Sequence, residues 1–282
     1  MNMKSVEIKG IITPIITPMN PEDESVNIPE LRNQIERQIA GGVHGIFILG
    51  TTGEPCTIAP MERAALIERA VSCVAGRVPL IVGAGANDTR AAVAHAQQAQ
   101  ALGADGLLVV TPYYNKASRA GLLAHYGAIA DSVDIPIIAY NVPSRTGMNL
   151  PPETVAELLK HPMIRGVKEA SGDIRQMQRL AALCPGAALY AGNDDQAYAM
   201  MALGGRGVIS VVANVFPERF MSCVNHAKAG DFDTAEREYA QLDEAVKALF
   251  EEGNPVGVKC ALSVMGRIGD TMRLPLVAGS EK

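Results

Sequence analysis

The sequence lacks the cysteine and histidine patterns that disulfide frameworks and metal sites need. Its five cysteines are far apart and form no Cys-x-x-Cys pair, and its five histidines show no metal-ligand spacing. An odd number of dispersed thiols is typical of proteins from a reducing compartment. We therefore expect a cytoplasmic protein that binds no metal.

An excess of positive charge and a long apolar run are also missing. The net charge is −5, and lysine and arginine are scattered along the chain, which argues against a nucleic-acid partner. The longest apolar runs, such as 208–212, are strand-sized and far shorter than the roughly 18 residues of a membrane span. The first ten residues contain no apolar core of a signal peptide. We expect neither nucleic acid nor membrane as a partner.

What the sequence does contain is a repeat of short apolar runs, each followed by a helix-like segment. Such runs, rich in isoleucine and valine, suit strands that are buried on both faces. They begin near Gly10, Gly45, Pro79, Gly106, Pro136, Ile164, Ala187 and Gly207. Eight strand–helix units predict an α/β fold of the closed (β/α)8 TIM-barrel type. A doubly wound open sheet is the alternative.

The C-terminal part of the chain continues with a helical pattern. After Gly230, apolar residues recur on one helical face, from Ala235 and Tyr239 to Leu249. No linker or low-complexity tract precedes them. We expect residues 1–230 to form the barrel and residues 231–282 to form a helical extension of the same domain.

Four segments at predicted strand ends carry most of the polar chemistry. They are GTTGE at 50–54, TPYYN at 111–115, YNVPSRTG at 140–147 and VKEASG at 167–172. In barrel enzymes the active site lies at the carboxyl ends of the strands. If the barrel is correct, these segments converge on one opening.

Lys168 is the sharpest candidate among them, because it lies within an apolar strand. Most lysines are solvated surface residues, but burying an unpaired ammonium is costly. A buried lysine avoids that cost by becoming neutral, and a neutral amine is a nucleophile. Attack of this amine on a ketone and a structural role are about equally consistent with the position alone.

The neighbouring candidates each have an ordinary interpretation as well. Tyr140 is either a packed tyrosine or a proton carrier beside the lysine. Arg145 is either a surface arginine or a clamp on a substrate carboxylate. Thr51 and Thr52, between two glycines, form either a tight turn or an anion-binding loop.

Together, these segments resemble the dihydrodipicolinate synthase and N-acetylneuraminate lyase superfamily. GTTGE, PYYN, YNVPSRTG, VKEASGD and NPVGVK at 254–259 occur in the order typical of the superfamily, over nearly the whole chain. Its synthase branch is the most similar. The resemblance implies a TIM-barrel lyase that condenses pyruvate with L-aspartate 4-semialdehyde in the lysine and diaminopimelate pathway, without a cofactor. It also implies a homotetramer built from two dimers.

The resemblance further implies a role for each matching residue. Lys168 matches the imine-forming lysine. Tyr140, Thr51 and Tyr114 match a proton relay, in which Tyr114 reaches into the site of a neighbouring subunit. The residues that match substrate contacts are Thr52, Arg145, Ile209 and, less closely, Gly192.

The sequence departs from the pattern of the family after GTTGE and within NPVGVK. Pro55 and Cys56 replace small polar residues, and Gly257 replaces a proline. Several positions that bind feedback lysine in related synthases also differ, so lysine inhibition is not expected. Two other functions stay open: an aldolase or dehydratase acting on a 2-oxo acid or sugar acid, and a non-catalytic keto-acid sensor.

Overall fold

The computed structural model describes residues 8–280, and its eight strands follow one another in chain order around a closed parallel barrel. The strands are β1 (Gly10–Pro14), β2 (Gly45–Ile48), β3 (Leu80–Gly83), β4 (Gly106–Val110), β5 (Ile137–Asn141), β6 (Ile164–Glu169), β7 (Ala188–Ala191) and β8 (Gly207–Ile209). All eight predicted strands are confirmed, and the open-sheet alternative is excluded. Their side chains are buried at almost every position, which is why they read as continuous apolar runs.

Helices follow the strands and continue beyond the last one. They are α1 (Ile28–Ala40), α2 (Pro60–Val74), α3 (Thr89–Ala101), α4 (Arg119–Ala130), α5 (Pro143–Thr146), α6 (Pro152–Leu158), α7 (Ile174–Leu183), α8 (Ala197–Ala202), α9 (Pro217–Lys228), α10 (Phe232–Ala240), α11 (Asp243–Glu251) and α12 (Val256–Val264). Asp88 caps the start of α3, because its carboxylate accepts from the Arg90 amide at 3.1 Å. Within residues 8–280, no helix is both long enough and apolar enough to cross a membrane.

The chain forms two compact units, and the first contains residues 81–209. Its centre is the parallel pairing of β4, β5, β6 and β7. The β5–β6 pairing contains a bulge: Ile137 pairs with Ile164, but Ile138 pairs with Gly166. The skipped residue, Arg165, is exposed. Because of this extra residue, Lys168 is in register with Tyr140, where an unbulged strand would place Val167.

The second unit contains residues 10–80 and the chain from Ser210 onward. Here β1 pairs with β2, and α1 packs against α2. The C-terminal helices pack in sequence, α9 against α10 and α11 against α12. The predicted helical tail is therefore confirmed as helix, but it is interrupted at 241–242, where α10 ends and α11 begins. The division of a single domain into a barrel of residues 1–230 and a helical extension of residues 231–282 stays a prediction.

Buried His125 in the first unit gives the fold a dependence on pH. Its Nδ1 lies 2.9 Å from Thr89 Oγ1, and burial lowers the pKa of His125 below its usual 6.5. Below about pH 6.5 the unfolded chain takes up a proton that the folded imidazole resists, so stability should fall as the pH drops. We expect the melting temperature of a His125→Asn variant to depend less on pH between about 6.5 and 5 than that of the wild type. Equal slopes would contradict this assignment.

Candidate active site

Lys168 and Tyr140 form the centre of the candidate site, at the carboxyl ends of β6 and β5. They are register partners, so their side chains project to the same face of the sheet. Lys168 is 5 % exposed and Tyr140 is 6 % exposed. Lys168 Nζ lies 4.3 Å from the centroid of the Tyr140 ring. The structure thus brings together two of the predicted catalytic residues, with an amine beside a phenol in a largely dry environment.

On the opposite face of the same two strands, a hydrogen-bond network surrounds Glu169. Its fully buried carboxylate accepts from Asn141 Nδ2 at 3.0 and 3.2 Å, from the Ser171 amide at 2.6 Å and from Gln176 Nε2 at 3.0 Å. Asn141 Oδ1 also accepts from the Leu150 amide at 2.8 Å. The network ties the end of β5 to the end of β6 and to α7. It therefore holds the two strands in the register that places Lys168 beside Tyr140.

The backbone of Gly192, directly after β7, packs closely beside the lysine. Its amide donates to Glu169 O at 2.7 Å. A β-carbon at this position would lie 2.6 Å from Ala170 Cβ and 3.1 Å from Lys168 Cε. The close approach of this backbone supports the expectation that Gly192 lines the site.

This packing predicts the effect of a single added methyl group. Gly192→Ala should displace Ala170 or the lysine side chain, and displacements of about 1 Å near reacting groups cost on the order of 100-fold in rate. We expect kcat/KM for pyruvate, the substrate that the resemblance implies, to fall by about 10- to 100-fold. Gly127→Ala in α4 is the matched control, because its β-carbon would meet nothing within 4 Å. If both variants retained full activity, the close packing at Gly192 would not be needed to position Lys168.

The remaining candidates of the first unit lie at other strand ends. Arg145 is exposed in α5, in the turn that follows β5. Tyr114 lies in the loop after β4, with a φ of 73° and a side chain that is 87 % exposed. Ile209 is fully buried and ends β8. Tyr114 and Arg145 are therefore solvent-exposed, unlike the buried Lys168 and Tyr140.

In the second unit, the GTTGE segment forms a short 3-10 turn directly after β2. The turn spans Thr51–Gly53, and Thr52 within it is buried. Thr17 Oγ1 donates to Gly53 O at 2.8 Å, which fastens the turn to the chain beyond β1. Glu54 then takes a left-handed conformation with φ 54°, which is uncommon for a residue with a side chain. Such a conformation requires support from the surrounding structure.

The C-terminal NPVGVK segment supplies that support. Lys259 Nζ lies 2.5 Å from Glu54 Oε1, and both side chains are 1 % exposed. Lys259 also donates to Thr271 O at 2.9 Å, and Asn254 Nδ2 donates to Thr52 Oγ1 at 3.0 Å. Sequence reasoning recognised NPVGVK as part of a family pattern but assigned it no role. The signal that could have suggested a buried charge was Lys259, within the largely apolar segment of α12.

The sequence of the whole chain matches one protein family. The model of the dihydrodipicolinate synthetase family matches residues 7–282. The chain belongs to this family. It is 46 % identical to the 4-hydroxy-tetrahydrodipicolinate synthase of Caldicellulosiruptor saccharolyticus over 274 residues, which cover 97 % of this chain and 92 % of that protein.

Solved structures of the family share the fold. The chloride-inhibited dihydrodipicolinate synthase of Acinetobacter baumannii, complexed with pyruvate, has a TM-score of 0.94 and 40 % identity, covering 97 % of this chain and 94 % of that one. A synthase variant characterised as the first monomeric one has a TM-score of 0.95 and 39 % identity, covering 98 % and 93 %. The expected family membership and the TIM barrel are thereby confirmed. Because the chain belongs to this family, Lys168 and Tyr140, at the ends of β6 and β5, are a candidate lyase centre.

Proposed function

We propose that the protein condenses pyruvate with L-aspartate 4-semialdehyde, the reaction of 4-hydroxy-tetrahydrodipicolinate synthase. The observation that carries this proposal is the buried Lys168 amine beside the Tyr140 ring, with the backbone of Gly192 packed closely against the lysine stem. Relatives with 46 % identity bear that enzyme name. A related structure with 40 % identity was solved with pyruvate.

In the proposed mechanism, the Lys168 amine attacks the ketone carbon of pyruvate. Loss of water from the carbinolamine gives an imine, and loss of a methyl proton gives an enamine. The enamine carbon attacks the aldehyde carbon of the second substrate, whose oxygen takes up a proton. The amine of the second substrate then displaces Lys168 from the imine carbon as the product cyclises. The lysine acts as the electron sink, so the reaction needs neither metal nor organic cofactor.

The other residues hold substrates and move protons. Tyr140, Thr51 and Tyr114 pass protons to and from the carbinolamine. Thr52 binds the carboxylate of pyruvate, and the backbone of Ile209 also contacts pyruvate. Arg145 binds the carboxylate of the second substrate, because its planar guanidinium can form two parallel hydrogen bonds. Gly192 completes the lining.

Assembly is part of the proposal because of Tyr114. A tyrosine that is 87 % exposed on its own chain is available to enter the site of a second copy. We propose a homotetramer built from two such dimers, and the description of one relative as the first monomeric variant implies that association is usual in the family. A cytoplasmic location fits the five free cysteines of the described chain.

Borohydride trapping tests the proposal directly. Incubation with pyruvate and borohydride should reduce the imine and attach a three-carbon unit to Lys168, which peptide mass spectrometry locates. The trapped carbon unit identifies a pyruvate imine, and an assay with L-aspartate 4-semialdehyde then tests condensation. Cleavage of 2-oxo acids without condensation would favour the aldolase alternative. An unmodified Lys168 would refute the imine and favour a keto-acid sensor.

A further inference from the structure

Asn254 and Thr52 form a buried contact between distant parts of the second unit. Asn254 Nδ2 donates to Thr52 Oγ1 at 3.0 Å, and the two residues are separated by 202 positions in the chain. Thr52 lies in the turn after β2, whereas Asn254 lies just before α12. Both are buried. The contact therefore joins the C-terminal segment to the loop that we propose binds the pyruvate carboxylate.

The direction of this hydrogen bond determines what the threonine can offer to a ligand. A hydroxyl has a single proton to donate, in addition to its acceptor lone pairs. Because Thr52 Oγ1 accepts from the asparagine amide, its own proton is directed away from Asn254. A carboxylate can only accept hydrogen bonds. A hydroxyl held as a donor is thus suited to the carboxylate of a 2-oxo acid.

We infer that Asn254 is a positioning residue that fixes the Thr52 hydroxyl as a donor toward the substrate carboxylate. This inference rests on the proposed function, in which Thr52 contacts pyruvate. It assigns a role in substrate affinity to a residue that precedes α12 and is not itself expected to touch the substrate.

The surrounding contacts keep the two side chains in place. Lys259, in the same helix that Asn254 precedes, pairs with Glu54 at 2.5 Å. On the other side of the turn, Thr17 holds Gly53 O at 2.8 Å. With the turn held at Gly53 and Glu54, the Thr52 side chain has little freedom to find another partner. Loss of the Asn254 donor should therefore alter the hydroxyl orientation without displacing the loop.

Two variants of Asn254 test the inference in the full-length protein. Asn254→Leu removes the donor at similar volume, and Asn254→Asp replaces it with an acceptor that would bind the Thr52 proton itself. We expect the KM for pyruvate to rise about tenfold in the leucine variant and further in the aspartate variant. A tenfold change corresponds to about 1.4 kcal/mol, close to the lower end of the range for a hydrogen bond to a charged group. The kcat at saturating pyruvate should change by less than about twofold, because the imine chemistry is untouched.

A double-mutant cycle with Thr52→Val separates this role from a general structural one. If Asn254 acts through the hydroxyl, Asn254→Leu should add nothing to the KM effect of Thr52→Val. Thr52→Ser, which retains the hydroxyl, should remain sensitive to Asn254→Leu. Independent, additive effects in the cycle would overturn the inference, as would a fall in kcat with unchanged KM in both Asn254 variants.

Labelling with pyruvate and borohydride distinguishes failure of the inference from failure of the proposed function. The wild type and both Asn254 variants should label at Lys168 when pyruvate is saturating, but the variants should need higher pyruvate for half-labelling. If the wild type takes no label, the proposed function itself is refuted and the inference falls with it. If it labels, and folded variants half-label at the same pyruvate concentration as the wild type, only the inference is overturned. Melting temperatures identify which variants are folded. One folded Asn254 variant is enough for the comparison of half-labelling with the wild type.

Discussion

Replacing Lys168 by alanine is expected to abolish synthase activity, with kcat/KM falling by about 10⁴-fold or more. In the proposed mechanism the Lys168 amine forms the covalent bond that turns a ketone into an enamine, and removal of a catalytic nucleophile commonly costs factors of this size. Borohydride should then attach no pyruvate carbon to the protein. The measurement combines steady-state kinetics of condensation with mass spectrometry of the trapped protein.

Two controls make the result specific to the amine. Lys168→Arg keeps a long cationic side chain but provides no neutral amine, so it should be nearly as inactive. Lys160→Ala removes an exposed lysine whose ion pair with Glu157 lies on the surface, where such pairs contribute little, and should retain activity. Substantial condensation by the alanine variant, within about tenfold of the wild type, would show that Lys168 is not the nucleophile.

Replacing Lys259 by methionine is expected to lower the free energy of unfolding by about 3–5 kcal/mol. The substitution keeps most of the side-chain volume but leaves the Glu54 carboxylate buried without its cation, and breaking a buried ion pair from one side costs about this much. Burial lowers the pKa of Lys259 from its usual 10.5, while Glu54 opposes that shift. Glu54 is therefore the main electrostatic compensation for the buried Lys259. Urea denaturation followed by circular dichroism measures the loss.

The double variant Glu54→Gln, Lys259→Met distinguishes an uncompensated charge from lost packing. With both charges removed, no buried ion remains, and replacement of whole buried pairs is often close to neutral. We expect the double variant to recover more than half of the stability lost by Lys259→Met. If it is as unstable as the single variant, packing of the Lys259 stem, rather than charge, stabilises this region.

The barrel could be predicted from the sequence because its strands are buried on both faces. Burial of nearly every residue produces the consecutive apolar runs that begin near Gly10, Gly45 and the other strand starts, and eight such runs define the architecture. Lys168 and Tyr140 were recognisable for the same reason, since polar groups at the ends of apolar strands are conspicuous. The register that brings them together was not, because the bulge at Arg165 leaves no mark in the hydrophobic pattern.

The polar contacts between segments that are distant in the sequence could not be predicted either. Glu169 is adjacent to Lys168 in the sequence, but its hydrogen bonds to Asn141 and Gln176 depend on how β5, β6 and α7 pack. The contacts of Asn254 and Lys259 join segments about 200 residues apart. The break between α10 and α11 was missed because one apolar face runs through both helices. Periodicity reports which face is buried, whereas it does not report where a helix ends or which side chain it meets.

The Asn254–Thr52 contact also affects when the protein can fold during its synthesis. The two residues are separated by 202 positions, and at about 5–20 residues per second the ribosome needs about 10–40 s to travel from one to the other. During that interval the residues of the turn after β2 have been synthesised, but Asn254 and Lys259, which contact the turn, have not. The turn after β2 can form its contacts with Asn254 and Lys259 only in a nearly complete nascent chain. A prematurely terminated polypeptide could therefore contain Lys168 and Tyr140 and still bind pyruvate poorly.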